Sequence, residues 1–221
     1  MKVNFSILDE SLDMSIIHIL VLEDIELFAD IANQLVTTFD ESTFIVFDDH
    51  YHKFTETNSI IISDLLSFNP NSSSVIKTIY SDLEIRFNQY PEVKTEIEQL
   101  TNKIVDKIAV ELVEHDLNLE YDTITLQQIF KVLGIKIDIR QGTVLQKLYN
   151  ILHLVKYLPK KELLILINCC CYFTQEELVE IMSFIELSHI KIIFIEPKKV
   201  VGVSQYIVDK DYVLFVDDVV E

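Results

Sequence analysis

Glu162-Leu163-Leu164-Ile165-Leu166-Ile167-Asn168 and, further along, Ile190-Lys191-Ile192-Ile193-Phe194-Ile195-Glu196 are the two stretches that decide the fold. Each is too short for a buried helix, and each is apolar at consecutive positions rather than alternating. That is how a parallel strand reads when helices cover both of its faces. Between them Thr174-x-x-Glu177 opens a helical stretch, 174–187, as a capping box in which the two side chains satisfy free N–H groups of the first turn. Strand, helix and strand at this spacing predict a βαβ unit.

Further strands are expected at 2–8, 18–23, 43–48, 59–66 and 212–216, all rich in Val, Ile and Phe, and further helices at 24–38 and 73–87. The middle differs. Pro91 suits a first helical residue, and Val93, Ile97, Leu100, Ile104, Ile108 and Leu112 follow at helical spacing. Segments 126–133 and 143–158 continue in that style, with Thr125-x-x-Gln128 as a second cap and Gly134 as a stop. The expectation is an α/β head, residues 1–87 and 157–221, whose strands form one sheet, interrupted by an all-helical leg over 88–156. No internal repeat or linker is evident.

The composition agrees. A chain of 221 residues holds one large or two small domains at about 150 residues each. With 49% hydrophobic residues, 3 Gly and 4 Pro, it is packed rather than disordered or low in complexity. No apolar run approaches the ~18 residues of a membrane span, and the acidic start does not read as a signal peptide. Consecutive Cys169, Cys170 and Cys171 close a buried strand; neighbours in an extended segment cannot all face one ion. These features together predict a cytoplasmic protein.

Few motifs carry chemistry. Between strand 59–66 and helix 73–87 the layout is that of a phosphate loop, but the pattern GxxxxGK[ST] falls on Ser67 to Ser74, where both glycine positions and the lysine position are Ser. Without glycines the backbone cannot close around phosphates, and without lysine their charge is unbalanced. The strand expected to hold magnesium ends in Asn168 rather than Asp. ATP hydrolysis is therefore not expected. Oxygen-bearing side chains recur at Asp116, Asn118, Glu120 and Asp122, an arrangement that can converge on calcium. Tyr121 and Gln127 stand where an EF-hand needs Gly and Glu, so it is no EF-hand, and an extended segment with one wet face explains the alternation equally well. Asp48-Asp49-His50-x-His52 lacks a further zinc ligand and reads more readily as a solvated turn. Neither a Ser-His-Asp arrangement nor a G-x-S-x-G elbow can be placed. The 18 basic residues face 36 acidic ones, for a net charge of −18, so nucleic acid is repelled unless lysines share one surface or cations neutralise the acids.

Asn4-Phe5-Ser6, Ile19 through Asp24, Asp64-Leu65-Leu66-x-Phe68 before Asn71-Ser72-Ser73, Pro91-Glu92-Val93-Lys94, Leu119-Glu120-Tyr121-Asp122 and Lys156-Tyr157-Leu158 together resemble the type II-A CRISPR-associated adaptation subunit, the Csn-two family, from end to end. The resemblance implies a head on a degenerate P-loop-like α/β core, a helical leg, and a homotetrameric ring whose lysine-lined hole takes double-stranded DNA ends. It implies calcium bound at the acidic leg segment, no enzymatic activity, and work alongside the CRISPR integrase pair and the effector nuclease in spacer acquisition. Glu120 and Asp122 lie inside a matching motif, with Asp116 and Asn118 just before it. Lys94, Lys131, Lys136 and Lys156 fall in matching segments and are the expected DNA contacts. A residual NTPase with an unconventional phosphate loop and a protein-recruiting scaffold are the alternative readings.

Overall fold

The computed structural model describes residues 1–113, 115–117, 119–138, 142–158 and 161–218. Two compact units emerge: Met1–Phe68 with Arg140–Glu221, and Asn69–Ile139.

The larger unit is built on a six-stranded sheet. Its strands are β3 (Ile19–Leu22), β5 (Ser59–Ile62), β6 (Leu163–Ile167), β7 (Lys191–Glu196), β8 (Gln205–Val208) and β9 (Leu214–Asp217), in the order β5-β6-β7-β3-β8-β9. All neighbours are parallel except β8 and β9, an antiparallel hairpin at one edge. The consecutive apolar runs read from the sequence are β6 and β7, adjacent interior strands that are fully buried save Lys191. Leu164, Leu166, Ile192 and Phe194 point to one face, where α5 (Val144–Tyr157) and α6 (Gln175–Ser188) pack through Leu148, Ile151, Leu152, Leu178, Ile181 and Ile185. Leu163, Ile165, Ile193 and Ile195 point to the other, against Ile31 and Leu35 of α1 (Ile25–Thr37) and residues of a second sheet. Each such side chain contributes about 1.5–3 kcal/mol by leaving water, which is why the alternation fixes both layers.

That second sheet corrects an expectation. The strands do not all join one sheet: β1 (Lys2–Asn4), β2 (Leu12–Asp13) and β4 (Ile45–Phe47) form a small antiparallel sheet in the order β2-β1-β4. Val3 and Val46 are fully buried in it, with Phe44 and Phe5 in ring contact 5.5 Å apart beside them.

The smaller unit contains α2 (Ser73–Asn88), α3 (Pro91–Val113) and α4 (Leu126–Val132). Its centre is Phe130, packed edge-on to Tyr80 at 5.8 Å and tilted to Phe87 at 5.7 Å, while the Tyr80 hydroxyl donates to the carbonyls of Phe130 and Ile135. The two ends of the unit are tied where Asn71 donates to the Ile137 carbonyl and accepts from its N–H, at 3.0 and 2.8 Å. The unit boundaries thus differ from the expected 88 and 156. Helix α2 shares its aromatic core with α4, and α5 is part of the α/β unit because its apolar face covers the sheet. The Thr125 and Thr174 capping boxes form as read, and Gly134 takes a positive φ of 65° just past α4.

Candidate functional site

In sheets of this kind ligands bind beyond the carboxyl ends of the parallel strands. At that edge the central strand β3 runs directly into α1, and Asp24 caps the helix by accepting from the Leu27 N–H at 2.8 Å, with Glu26 in the first turn. A carboxylate already occupies the anion-attracting end of this helix. The loop after β5 is filled in the same manner. The Asp64 carboxylate accepts from the N–H groups of Leu66 and Ser67 at 2.9 and 3.1 Å, and its pKa is held below the ordinary range, first by the Ser67 hydroxyl and then by these amides. Backbone donors that would cradle a phosphate are thus committed to an acid. Asn168, at the position of a magnesium-holding Asp, has a left-handed backbone with φ 54°.

Beyond β6 and β7 lies a cavity of about 600 Å³, lined by Asn168, Cys170, Phe173, Leu178, Glu196 and Lys198 among others. Glu196, 3% exposed, accepts from the N–H groups of Cys169 and Cys170 through one oxygen, at 2.8 and 2.9 Å. Burial raises its pKa and outweighs the opposing pull of those hydrogen bonds. Burial also pushes the Cys169 thiol up to about 12 and raises Cys170 further, so neither is a thiolate nucleophile at neutral pH. No spacing rule pointed to Glu196; the only sign was an acid closing an otherwise apolar strand.

The acidic segment follows α3 as irregular backbone. Asp116, Glu120 and Asp122 are exposed there, and Asn118 lies outside the described residues. Their oxygens are the hard donors that calcium prefers. Among the described residues, though, no three His, Cys, Asp or Glu side chains come close enough to hold an ion. The described residues of the segment carry the donor chemistry without a formed site. Asp48-Asp49-His50-x-His52 is a turn, with the Asp48 carboxylate accepting from the N–H groups of His50 and His52, and Asp49 pairing with the N-terminal ammonium at 2.7 Å.

The lysines divide. Lys94 is half-buried, donates to Asn88 Oδ1 at 3.0 Å and stands 3.8 Å from Glu98, so it is engaged within the helical unit. Lys131 and Lys136, also in that unit, are exposed, with no side-chain partner among the described residues. Lys156 is exposed in the α/β unit, on a cavity of about 340 Å³ shared with Lys161, His189 and Lys191. Part of this positive charge is answered locally. Lys161 donates to the carbonyls of Glu56 and Ser59, Lys191 lies 3.8 Å from Glu162, and α5 and α6 end beside the cavity with their negative poles.

Comparison with known proteins adds identity to this geometry. The family described as CRISPR-associated protein (Cas_Csn2) matches residues 38–212. A CRISPR-associated protein Csn2 of Streptococcus agalactiae is 36% identical over 219 residues, 99% of this chain and 99% of the relative. A protein of the same name from Enterococcus faecalis is 36% identical over 214 residues, 97% of this chain and 98% of its own length. Among solved structures, the crystal structure of Stu0660 of Streptococcus thermophilus shares the fold with a TM-score of 0.51 at 15% identity, over 100% of this chain and 77% of that one. No helix among the described residues is long and apolar enough to cross a membrane. With the family match spanning most of the sequence and relatives aligned from end to end, the chain belongs to the Csn2 family of CRISPR-associated proteins.

Proposed function

We propose that the protein is a non-catalytic DNA clamp of CRISPR spacer acquisition: a cytoplasmic homotetrameric ring that takes double-stranded DNA ends without sequence preference and acts beside the integrase pair and the effector nuclease. Family membership gives the CRISPR setting. The observation that carries the DNA reading is that Lys131, Lys136 and Lys156 stand exposed and, among the described residues, unpartnered in a chain of net charge −18. Basic residues are outnumbered two to one by acids, so a surface that gathers them stands out, and repetition around a ring multiplies their field in a low-dielectric bore. Contacts from lysines reach phosphates rather than base edges, which gives binding without sequence readout. The head keeps the degenerate nucleotide-binding architecture as a scaffold, since carboxylates fill the positions where phosphates would sit.

Calcium belongs to the proposal through the exposed oxygens of Asp116, Glu120 and Asp122, together with Asn118, where it would offset acidic charge near the duplex. Ring assembly, and with it duplex binding, would depend on that calcium. The test is gel retardation of one sequence as a linear duplex and as a covalently closed circle. A ring needs an end to thread, so the linear form alone is expected to shift. Equal retention of both forms, or of neither, would leave the protein-recruiting scaffold as the better reading.

A further inference from the structure

The cavity beyond β6 and β7 takes no part in the DNA clamp, yet it has the attributes of a binding site. It lies at the carboxyl edge of the parallel strands, and its 600 Å³ suits a small organic ligand. Both loops that face it are fixed from behind by a buried polar side chain. On one side Glu196 holds the Cys169–Cys170 turn. On the other, Gln205, fully buried, accepts from the Val200 N–H at 2.8 Å and donates to the Val200 carbonyl at 2.6 Å. Gly202, at a positive φ of 85°, turns this second loop beside the Gln175 side chain at the start of α6. Both loops are thus held by hydrogen bonds of their own.

Its polar groups are few and differ along its length. Phe173, Leu178, Val200 and Pro197 supply apolar walls. At the floor, the Glu196 carboxyl takes two backbone amides on one oxygen and also meets the Cys170 thiol, and of a carboxylate's roughly four lone-pair sites this leaves one for a ligand. At the rim, Lys199 is neutralised by Asp217 at 2.8 Å, while Lys198 is exposed and has no ion-pair partner among the described residues. An acceptor at the bottom, an aromatic wall between and a cation at the mouth match a flat heterocycle with an amino edge and an anionic tail. We propose that this cavity binds a free mononucleotide, its amino-bearing base against Phe173 with the amine toward Glu196, and its phosphate at Lys198. The proposal concerns binding only and does not rest on the ring or on DNA threading.

The test is isothermal titration of the full chain with AMP, CMP, UMP and adenosine, without added metal. AMP and CMP are expected to bind, and UMP, which lacks the exocyclic amine, to bind at least tenfold more weakly. Lys198→Ala should weaken AMP by about tenfold while leaving adenosine unchanged, and Val201→Trp at the exposed rim should abolish both without altering the melting curve. Absence of heat for every nucleotide at millimolar concentration overturns the proposal. So does AMP binding that survives both variants, which would place the ligand elsewhere. Retardation of linear DNA should be the same for Lys198→Ala and the parent; a parallel loss would assign the pocket to a DNA terminus and overturn the free-nucleotide assignment.

Discussion

Replacing Glu196 separates what its carboxyl does for the fold from what its charge costs. The side chain accepts from the N–H groups of Cys169 and Cys170, both buried, so Glu196→Ala strands two buried donors at once. Each unsatisfied donor costs about 1–3 kcal/mol, for a loss on the order of 2–5 kcal/mol. A chain of this size loses about 2–4 °C of Tm per kcal/mol, which places the drop for the α/β unit at roughly 5–15 °C. Glu196→Gln keeps an oxygen in place and cannot ionise, so at neutral pH it should melt at or above the parent temperature. The pH dependence follows from the raised pKa. The folded state holds the proton more tightly than the unfolded chain, whose ordinary value is 4.5. The favourable contribution is complete below 4.5 and is lost as pH rises through the folded value. Relative to Glu196→Gln, the parent therefore loses stability on going from acid toward neutral pH. Calorimetric or circular-dichroism melts of the three proteins across that range are the assay. Glu196→Ala melting within about 1 °C of the parent would mean that the two amides do not depend on this carboxyl.

Other substitutions test other links. His18 is buried, its Nδ1 has no partner among the described residues, and burial holds its pKa below 6.5; the protonated form is penalised in the fold, so urea midpoints should fall as pH drops from about 7.5 to about 5.5, and His18→Phe should flatten that part of the slope. Gly202 sits at φ 85°, and Gly202→Ala should cost about 1–2 kcal/mol from the backbone alone; truncating the neighbouring side chain with Gln175→Ala should therefore fail to rescue it in denaturant titrations. Lys131→Glu combined with Lys136→Glu should weaken DNA binding, and the plot of log K against log salt should become shallower by about 0.9 for each phosphate no longer neutralised.

The central elements were readable because burial leaves a simple mark. Strands covered on both faces need apolar side chains at every position, and β6 and β7 have them; the threonine caps of α4 and α6 carry their partners three residues on. The second sheet was not readable, since a two-residue strand such as β2 has no periodicity, and β8 begins with Gln205, a polar residue buried for its hydrogen bonds rather than its hydrophobicity. The division into units escaped the sequence for a related reason. An amphipathic helix announces that it packs, not against what, so α2 and α5 read alike although one meets Phe130 and the other the sheet. Of the candidate residues, Lys131, Lys136 and Lys156 are exposed, as charged residues off an apolar face usually are, whereas the bonding of Lys94 to Asn88 depends on side-chain geometry that spacing does not encode.

The most direct test of the clamp is light scattering of one preparation in calcium and in chelator, with retention of a short blunt duplex measured on the same samples. A calcium-held ring should give four times the chain mass together with duplex binding in calcium, and lose both in chelator. A mass equal to one chain in both conditions, or duplex binding indifferent to calcium and to assembly, would contradict it.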